Sequence, residues 1–353
     1  MKQAIVITNV DSLLGYALAY RFLEDWNRSS DKDKTEFRLA CCKNEGLHDL
    51  ERLGGQIYEM GDYGDEDAMH HLMKNVIYVL FVPTNTENRM KEGEAVLKSA
   101  HKEKVDYLAM FSFLGLDGLE GLEENKMKHL NQMLQLEKKV PDYFDKKSYC
   151  IIQSAMWSQF FYFFGPMIED LNEIRLTVHK KTKWGTVDLG DLVDAVYNLS
   201  DPSGVEQTGK ESLGQLYVSN LKKKNCTLFQ FTPRHNFSAE QLVHDASQGL
   251  ERSEDMTYEK TDASRLKEYL RGIQNDNRFR ERPHHHTMDR PYTFPLGRYL
   301  KEGVIETLME YLDFIDKGKA DIETNQLADA LGRDPQDVRH FFKDNRDQFR
   351  HLR

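Results

Sequence analysis

The sequence predicts an α/β protein: a doubly wound parallel sheet in the N-terminal half, followed by a smaller C-terminal α/β subdomain with terminal helices. Three observations carry this. Short apolar runs alternate with helical patterns from the start of the chain to about residue 115, as stacked βαβ units require. Val76 to Val82 is almost continuously apolar, as a strand covered on both faces must be. Each strand pattern in this half leads into a helix or a turn toward one. The expected division is residues 1–150 for the sheet domain and 151–353 for the smaller part.

The elements read in order as follows. Ala4 to Thr8 is a buried strand, and Asp11 to Trp26 is a helix with Leu14, Leu18 and Phe22 at helical spacing. Phe37 to Cys42 and Gln56 to Glu59 are strands, separated by a helix from Gly46 to Leu53. Asp65 to Met73 is helical, Val76 to Val82 a strand, Glu87 to His101 a helix and Val105 to Ser112 the fifth strand. The pattern then loosens. Asn125 to Lys139 reads as a polar helix, Tyr149 to Gln153 as a strand, and Met156 to Phe164 as an aromatic helix start. Thr186 to Leu199 holds a strand and a helix, and Gln215 to Ser219 reads as a strand. Residues 274–297 show no period and read as a long loop. Val304 to Asp316, Asn325 to Leu331 and Asp334 to Phe349 are the terminal helices.

Composition narrows the function classes. The chain has 353 residues, 39% hydrophobic and 30% charged, as a globular protein with a solvated surface has. A formal charge of −10 argues against nucleic acid, whose phosphates need a clustered basic surface. Lys222-Lys223-Lys224 reads as a solvated face. No apolar run approaches the roughly 18–20 residues that span a bilayer, so no membrane contact is expected. The N-terminus enters a strand pattern directly and lacks a cleavage-site signature. Four cysteines without a paired Cys-x-x-Cys pattern give neither a disulfide framework nor a zinc site. A reducing compartment follows: the cytoplasm is expected, with the nucleus left open.

The first strand-to-helix turn carries the functional argument. A dinucleotide fold uses three glycines there, for the tight turn, for backbone approach to the pyrophosphate, and for packing of helix on strand. Here Ile5-Val6-Ile7-Thr8 is followed by Asn9-Val10-Asp11-Ser12-Leu13-Leu14-Gly15. Counting back in threes from Gly15 gives Ser12 and Asn9, so the context is that of a Rossmann-type domain and only the third glycine is kept.

With this loop and its context, the chain resembles the NmrA-like family of atypical short-chain dehydrogenases, fungal members in particular, whose loop reads Thr-Gly-Ala-Thr-Gly-x-x-Gly. Gly61-Asp62-Tyr63 resembles the family's Gly-Asp-hydrophobic step near the adenine. Phe111-Ser112-Phe113-Leu114-Gly115 sits where the family has a Ser-Ser-Phe-Gly-like turn, and Tyr149-Cys150-Ile151-Ile152 resembles its Tyr-Thr-Ile-Leu strand. Gly332-Arg333-Asp334-Pro335 and Phe341-Phe342-Lys343-Asp344-Asn345 are similar to the family's C-terminal segment. The resemblance implies NADP(H) as ligand and Asn9, Asp11, Ser12, Gly15, Lys43, Asp62 and Ser112 as its contacts. Lys43 stands where the family reads the 2′-phosphate, and no acid stands at that strand end to favour NAD(H).

The departures weaken that ligand. Asn9 is mild, because Asn visits the left-handed region readily. Ser12 hinders close backbone approach, although its hydroxyl is able to donate to a phosphate. Asp11 is expected to cap the helix's own N–H groups and to repel a phosphate by about 1–4 kcal/mol at short range. Catalysis needs a Tyr-x-x-x-Lys helix in this superfamily. Aligning Glu137 with the family's helix glutamate puts His129 at the tyrosine and Met133 at the lysine. Met133 supplies neither charge nor donor, Lys126 and Lys128 are out of helical phase, and His129 reads as an exposed helix residue. No catalytic residue is therefore assigned.

Other features are read plainly. Cys42 is an ordinary thiol. The aromatic cluster Trp157, Phe160, Phe161, Tyr162, Phe163 and Phe164 is a core segment before it is a pocket wall. His284-His285-His286 lacks acidic or cysteine partners at ligand spacing and has Arg280, Arg282 and Arg290 nearby, so no metal is expected. The resulting expectation is a non-catalytic, regulatory or redox-sensing module with a protein partner and weak NADP(H) binding. An NADPH-dependent oxidoreductase and a structural or storage protein stand as alternatives.

Overall fold

The computed structural model describes residues 2–28, 34–120, 126–201, 211–280 and 295–352. The N-terminal half alternates as expected: β1 Gln3–Ile7, α1 Leu13–Arg28, β2 Thr35–Cys41, α2 His48–Arg52, β3 Gln56–Glu59, α3 Glu66–Met73, β4 Val76–Phe81, α4 Arg89–Lys102 and β5 Tyr107–Phe113. α5 Lys128–Tyr143 and β6 Tyr149–Ser154 follow. Beyond them lie β7 Met156–Trp157, α6 Gly165–Leu171, β8 Glu173–Leu176, β9 Thr186–Val187, α7 Leu189–Ser200, α8 Leu213–Lys224 and β10 Leu228–Phe231. The chain closes with α9 Ala239–Gly249, β11 Thr257–Lys260, α10 Ala263–Asn275, α11 Glu302–Asp316, α12 Gln326–Leu331, α13 Val338–Asp344 and α14 Arg346–His351.

The main sheet has seven strands in the order β10-β6-β5-β4-β1-β2-β3. β1 pairs in parallel with β2 (Ile5 opposite Phe37) and with β4 (Val6 opposite Val79), β2 with β3 and β4 with β5. β4 is buried along its whole length, which explains its lack of polar alternation. This is the doubly wound parallel sheet that the sequence predicts, with the strand order reversing between β1 and β4.

The chain forms two compact units, both discontinuous. One comprises Met1–Ser112, Gln132–Gln153 and Val193–Phe229; the other comprises Phe113–Asn131, Ser154–Leu192 and Gln230–Arg353. The chain thus passes between them several times and not once at residue 150. In the first unit Phe22 of α1 meets Tyr197 and Tyr217 edge-on, with ring centroids 5.2 and 5.6 Å away. In the second, Phe161 and Tyr162 pack against Phe342 and Phe349 at 5.2 and 5.0 Å, which makes this part of the aromatic cluster core.

Three elements differ from expectation. Gln215 to Ser219 is not a strand but lies inside α8. Ser212 accepts from the Gln215 amide while the Gln215 side chain accepts from the Ser212 amide, a capping box that outweighs five residues of apparent alternation. Leu216, Tyr217 and Leu221 then form its buried face, and Lys222, Lys223 and Lys224 occupy its last turn. The final helix is two: Asp337 caps α13, and Asn345, whose side chain donates to the Phe341 carbonyl at 2.9 Å, separates it from α14. Met156 to Phe164 is the short strand β7 and a 3-10 turn from Ser158 to Phe164. Of the loop expected at 274–297, residues 281–294 lie outside the described residues, and Asn277–Phe279 and Leu296–Tyr299 are 3-10 turns.

Candidate functional site

Ligands of doubly wound sheets lie beyond the carboxyl ends of the strands where the order reverses, here β1 and β4. The residues that leave these two strands are tied to one another. The Thr8 hydroxyl donates to the Val82 carbonyl at 3.0 Å and accepts from the Val82 amide at 2.9 Å. The Asn9 side chain donates to the Pro83 carbonyl at 3.0 Å. Beyond Pro83 the buried Arg89 donates to the Thr84 carbonyl, and Glu92 accepts from the hydroxyls of Thr84 and Thr86. Nothing in the sequence marks Arg89 and Glu92 as the residues that fix this loop, apart from their one-turn spacing at the start of α4.

The loop from β1 to α1 is closed in the same way. Asn9 has φ 54°, the left-handed conformation for which a dinucleotide loop uses its first glycine. Its amide donates to the Tyr63 hydroxyl oxygen at 2.8 Å. Tyr63 is fully buried, and burial pushes its phenol well above the ordinary range, so it stays neutral. The Val10 amide donates to the Ala40 carbonyl and the Ser12 amide to the Asn9 carbonyl, both at 3.0 Å. The Ser12 hydroxyl donates to the Asn9 carbonyl at 2.6 Å and accepts from the Gly15 amide at 3.2 Å. Ser12, not Asp11, therefore supplies the cap seen on α1. The Asp11 carboxylate accepts instead from the amide of Cys42, just past β2, at 3.3 Å. Gly15 keeps the role of a third glycine: a Cβ there would lie 2.1 Å from the Asn9 carbonyl oxygen.

The other expected contacts stand apart from this cluster. Lys43 is exposed one residue past Cys42. Asp62 is exposed and accepts from the Gly64 amide at 2.7 Å; that bond, with Lys91 at 3.4 Å, holds its carboxyl below the ordinary range. Ser112, at the end of β5 and two strands from β1, is buried, and its hydroxyl has no partner among the described residues.

No protein-family model and no curated protein matches the sequence. Solved structures do match the fold. An NADPH-dependent quinone oxidoreductase from Escherichia coli, complexed with NADPH, is 14% identical with TM-score 0.66, over 99% of each chain. A nucleoside-diphosphate-sugar epimerase from Staphylococcus aureus is 13% identical with TM-score 0.67, over 97% of this chain and 99% of that one. NmrA, a negative transcriptional regulator in complex with NADP, is 10% identical with TM-score 0.65, over 97% of this chain and 94% of NmrA. The chain has the NmrA-like fold.

An NmrA-like loop that takes a pyrophosphate must present free amides at its helix N-terminus. Here the amides of Asn9, Val10, Ser12 and Gly15 have internal partners, and a carboxylate stands at the end of β2. In this conformation a pyrophosphate would compete with the internal partners of these four amides.

The helix whose residues the sequence aligns with the Tyr-x-x-x-Lys pattern is α5. His129, expected to be exposed, is buried. Glu310 of α11 explains why: it accepts from the His129 ring Nδ1 at 2.7 Å and from the amides of His129 and Leu130 at 2.8 and 3.0 Å. One carboxylate thus caps α5 and fixes the imidazole. Met133 is buried, Lys126 and Lys128 are exposed, and Glu137 accepts from the Gln153 side chain at 3.1 Å. No group of three or more metal-ligating side chains occurs among the described residues; His284, His285 and His286 lie outside them. No helix among the described residues is long and apolar enough to cross a membrane.

Proposed function

We propose that this chain is a non-catalytic NmrA-like binding module that acts through a protein partner and holds NADP(H) weakly. The observation that carries the reading is the self-satisfied loop: Tyr63 on the Asn9 amide, Ser12 on the Gly15 amide and Asp11 on the Cys42 amide. A ligand phosphate would have to replace these bonds and meet the Asp11 carboxylate. The solved complexes of similar fold, with NADPH in the quinone oxidoreductase and NADP in NmrA, support NADP(H) as the ligand class. NmrA's description as a transcriptional regulator supports a regulatory or redox-sensing role. A reducing cytoplasm suits four free thiols.

Met133 argues against hydride transfer, since it supplies no donor to orient a nicotinamide ribose. One observation favours the second reading, an NADPH-dependent oxidoreductase: the imidazole of His129 is buried and held by a carboxylate, as a general acid or base often is. NADPH oxidation with quinones, enones and aldehydes separates the two. The expected result is no turnover above background. Turnover that disappears in His129→Ala overturns the non-catalytic reading.

A further inference from the structure

Two thiols outside the β1–α1 loop are brought together by the main sheet. Cys150 lies on β6 and is fully buried, while Cys226 is half-buried in the turn between α8 and β10. β6 and β10 are neighbours in the sheet, and the Ile151 amide donates to the Thr227 carbonyl at 2.8 Å. Each cysteine stands one position before a residue of that bond. Neighbouring strands run about 4.8 Å apart, which puts the two Cα atoms roughly 5–6 Å from each other. A disulfide needs Cα atoms about 4.4–6.8 Å apart. The Cys226 thiol donates to the Leu228 carbonyl at 3.1 Å, a weak bond that a rotation of its side chain releases.

Their surroundings give the two sulfurs different parts. Burial pushes the Cys150 thiol up to about 12, although the Tyr107 hydroxyl donates to its sulfur. Cys150 therefore stays a thiol, shielded from solvent. Cys226 is the one that an oxidant in solution reaches, and the exposed Lys222, Lys223 and Lys224 at the end of α8 draw anionic reagents toward it. We infer that Cys150 and Cys226 are a redox modification site, which closes to a disulfide on meeting an anionic small-molecule disulfide of the glutathione class. The Cys226 sulfur attacks one sulfur of the reagent and forms a mixed disulfide, releasing one small thiol. The Cys150 sulfur then attacks that of Cys226 and releases the second. Two protein thiols are oxidised, one small disulfide is reduced, and both protons leave on the small thiols. No dinucleotide takes part, so this site stands or falls apart from the reading above.

In the test, the full chain is reduced, exposed to excess glutathione disulfide at neutral pH, quenched in acid, alkylated in denaturant, digested and read by mass spectrometry. The expected product is the Cys150 peptide joined to the Cys226 peptide, free of glutathione and separated again by dithiothreitol. Cys226→Ser leaves Cys150 alkylated and without glutathione, and Cys150→Ser traps glutathione on Cys226. Three results overturn the proposal: glutathione retained on Cys226 of the unaltered chain beside an alkylated Cys150, a bond from either cysteine to Cys41 or Cys42, or no oxidation of either. Cys226 lies in a half-buried turn, so Cys226→Ser keeps the test decisive where Cys150→Ser does not fold.

Discussion

The amide of Asn9 and the phenol oxygen of Tyr63 are 2.8 Å apart although 54 positions separate the two residues. Asn9 is the turn residue of the β1–α1 loop, and Tyr63 follows the third strand and is fully buried. The bond places a side chain of the protein against the loop that elsewhere in this fold faces a cofactor.

Tyr63→Phe removes the acceptor and keeps the ring. The Asn9 amide is then buried without this partner, which costs about 1–3 kcal/mol. Urea denaturation is expected to show that loss through a lower midpoint with an unchanged slope. An unaltered midpoint contradicts the assignment of Tyr63 as the loop's internal partner.

Gly15→Ala tests the packing of α1 on β1. The added carbon would lie 2.1 Å from the Asn9 carbonyl oxygen, which belongs to the backbone and has little room to move. Overpacking of this kind costs about 1–3 kcal/mol or more. Thermal unfolding at or near wild-type temperature would show that the loop yields, and with it the account of why this glycine alone is kept.

Glu310→Ala removes the carboxylate that caps α5 and pairs with His129. Loss of the cap costs roughly 0.5–2 kcal/mol, and the buried imidazole loses its hydrogen bond to this carboxylate as well. Chemical denaturation reads the destabilisation. If Glu310→Ala and His129→Ala each destabilise and their effects do not add, the pair is a structural unit.

The sequence was most informative where local geometry decides. The β1–α1 turn, the need for a left-handed residue at Asn9 and the helix–strand contact at Gly15 all follow from neighbours a few positions apart. Asp11 was legible as an intruding acid but not in its direction, because Cys42 lies 31 positions away. His129 was misjudged for the same reason: its partner, Glu310, is 181 positions distant and no helical spacing announces it. α8 failed differently, since a short apolar alternation concealed a capping box at Ser212. Long-range polar bonds leave little trace in local pattern, and in this chain they are what closes the candidate site.

The central claim is that Asn9, Asp11 and Ser12 hold the loop in a form that disfavours the cofactor. Titration calorimetry of NADPH against the wild type and against Asn9→Gly, Asp11→Thr, Ser12→Gly tests it most directly, once the variant's fold is confirmed, since glycines near a helix start cost about 1 kcal/mol. The glycines reopen backbone approach and the threonine removes the carboxylate, so the variant is expected to gain roughly five- to nearly a thousand-fold in affinity over a weakly binding or non-binding wild type. Micromolar binding of NADPH by the wild type, unchanged in the variant, contradicts the account.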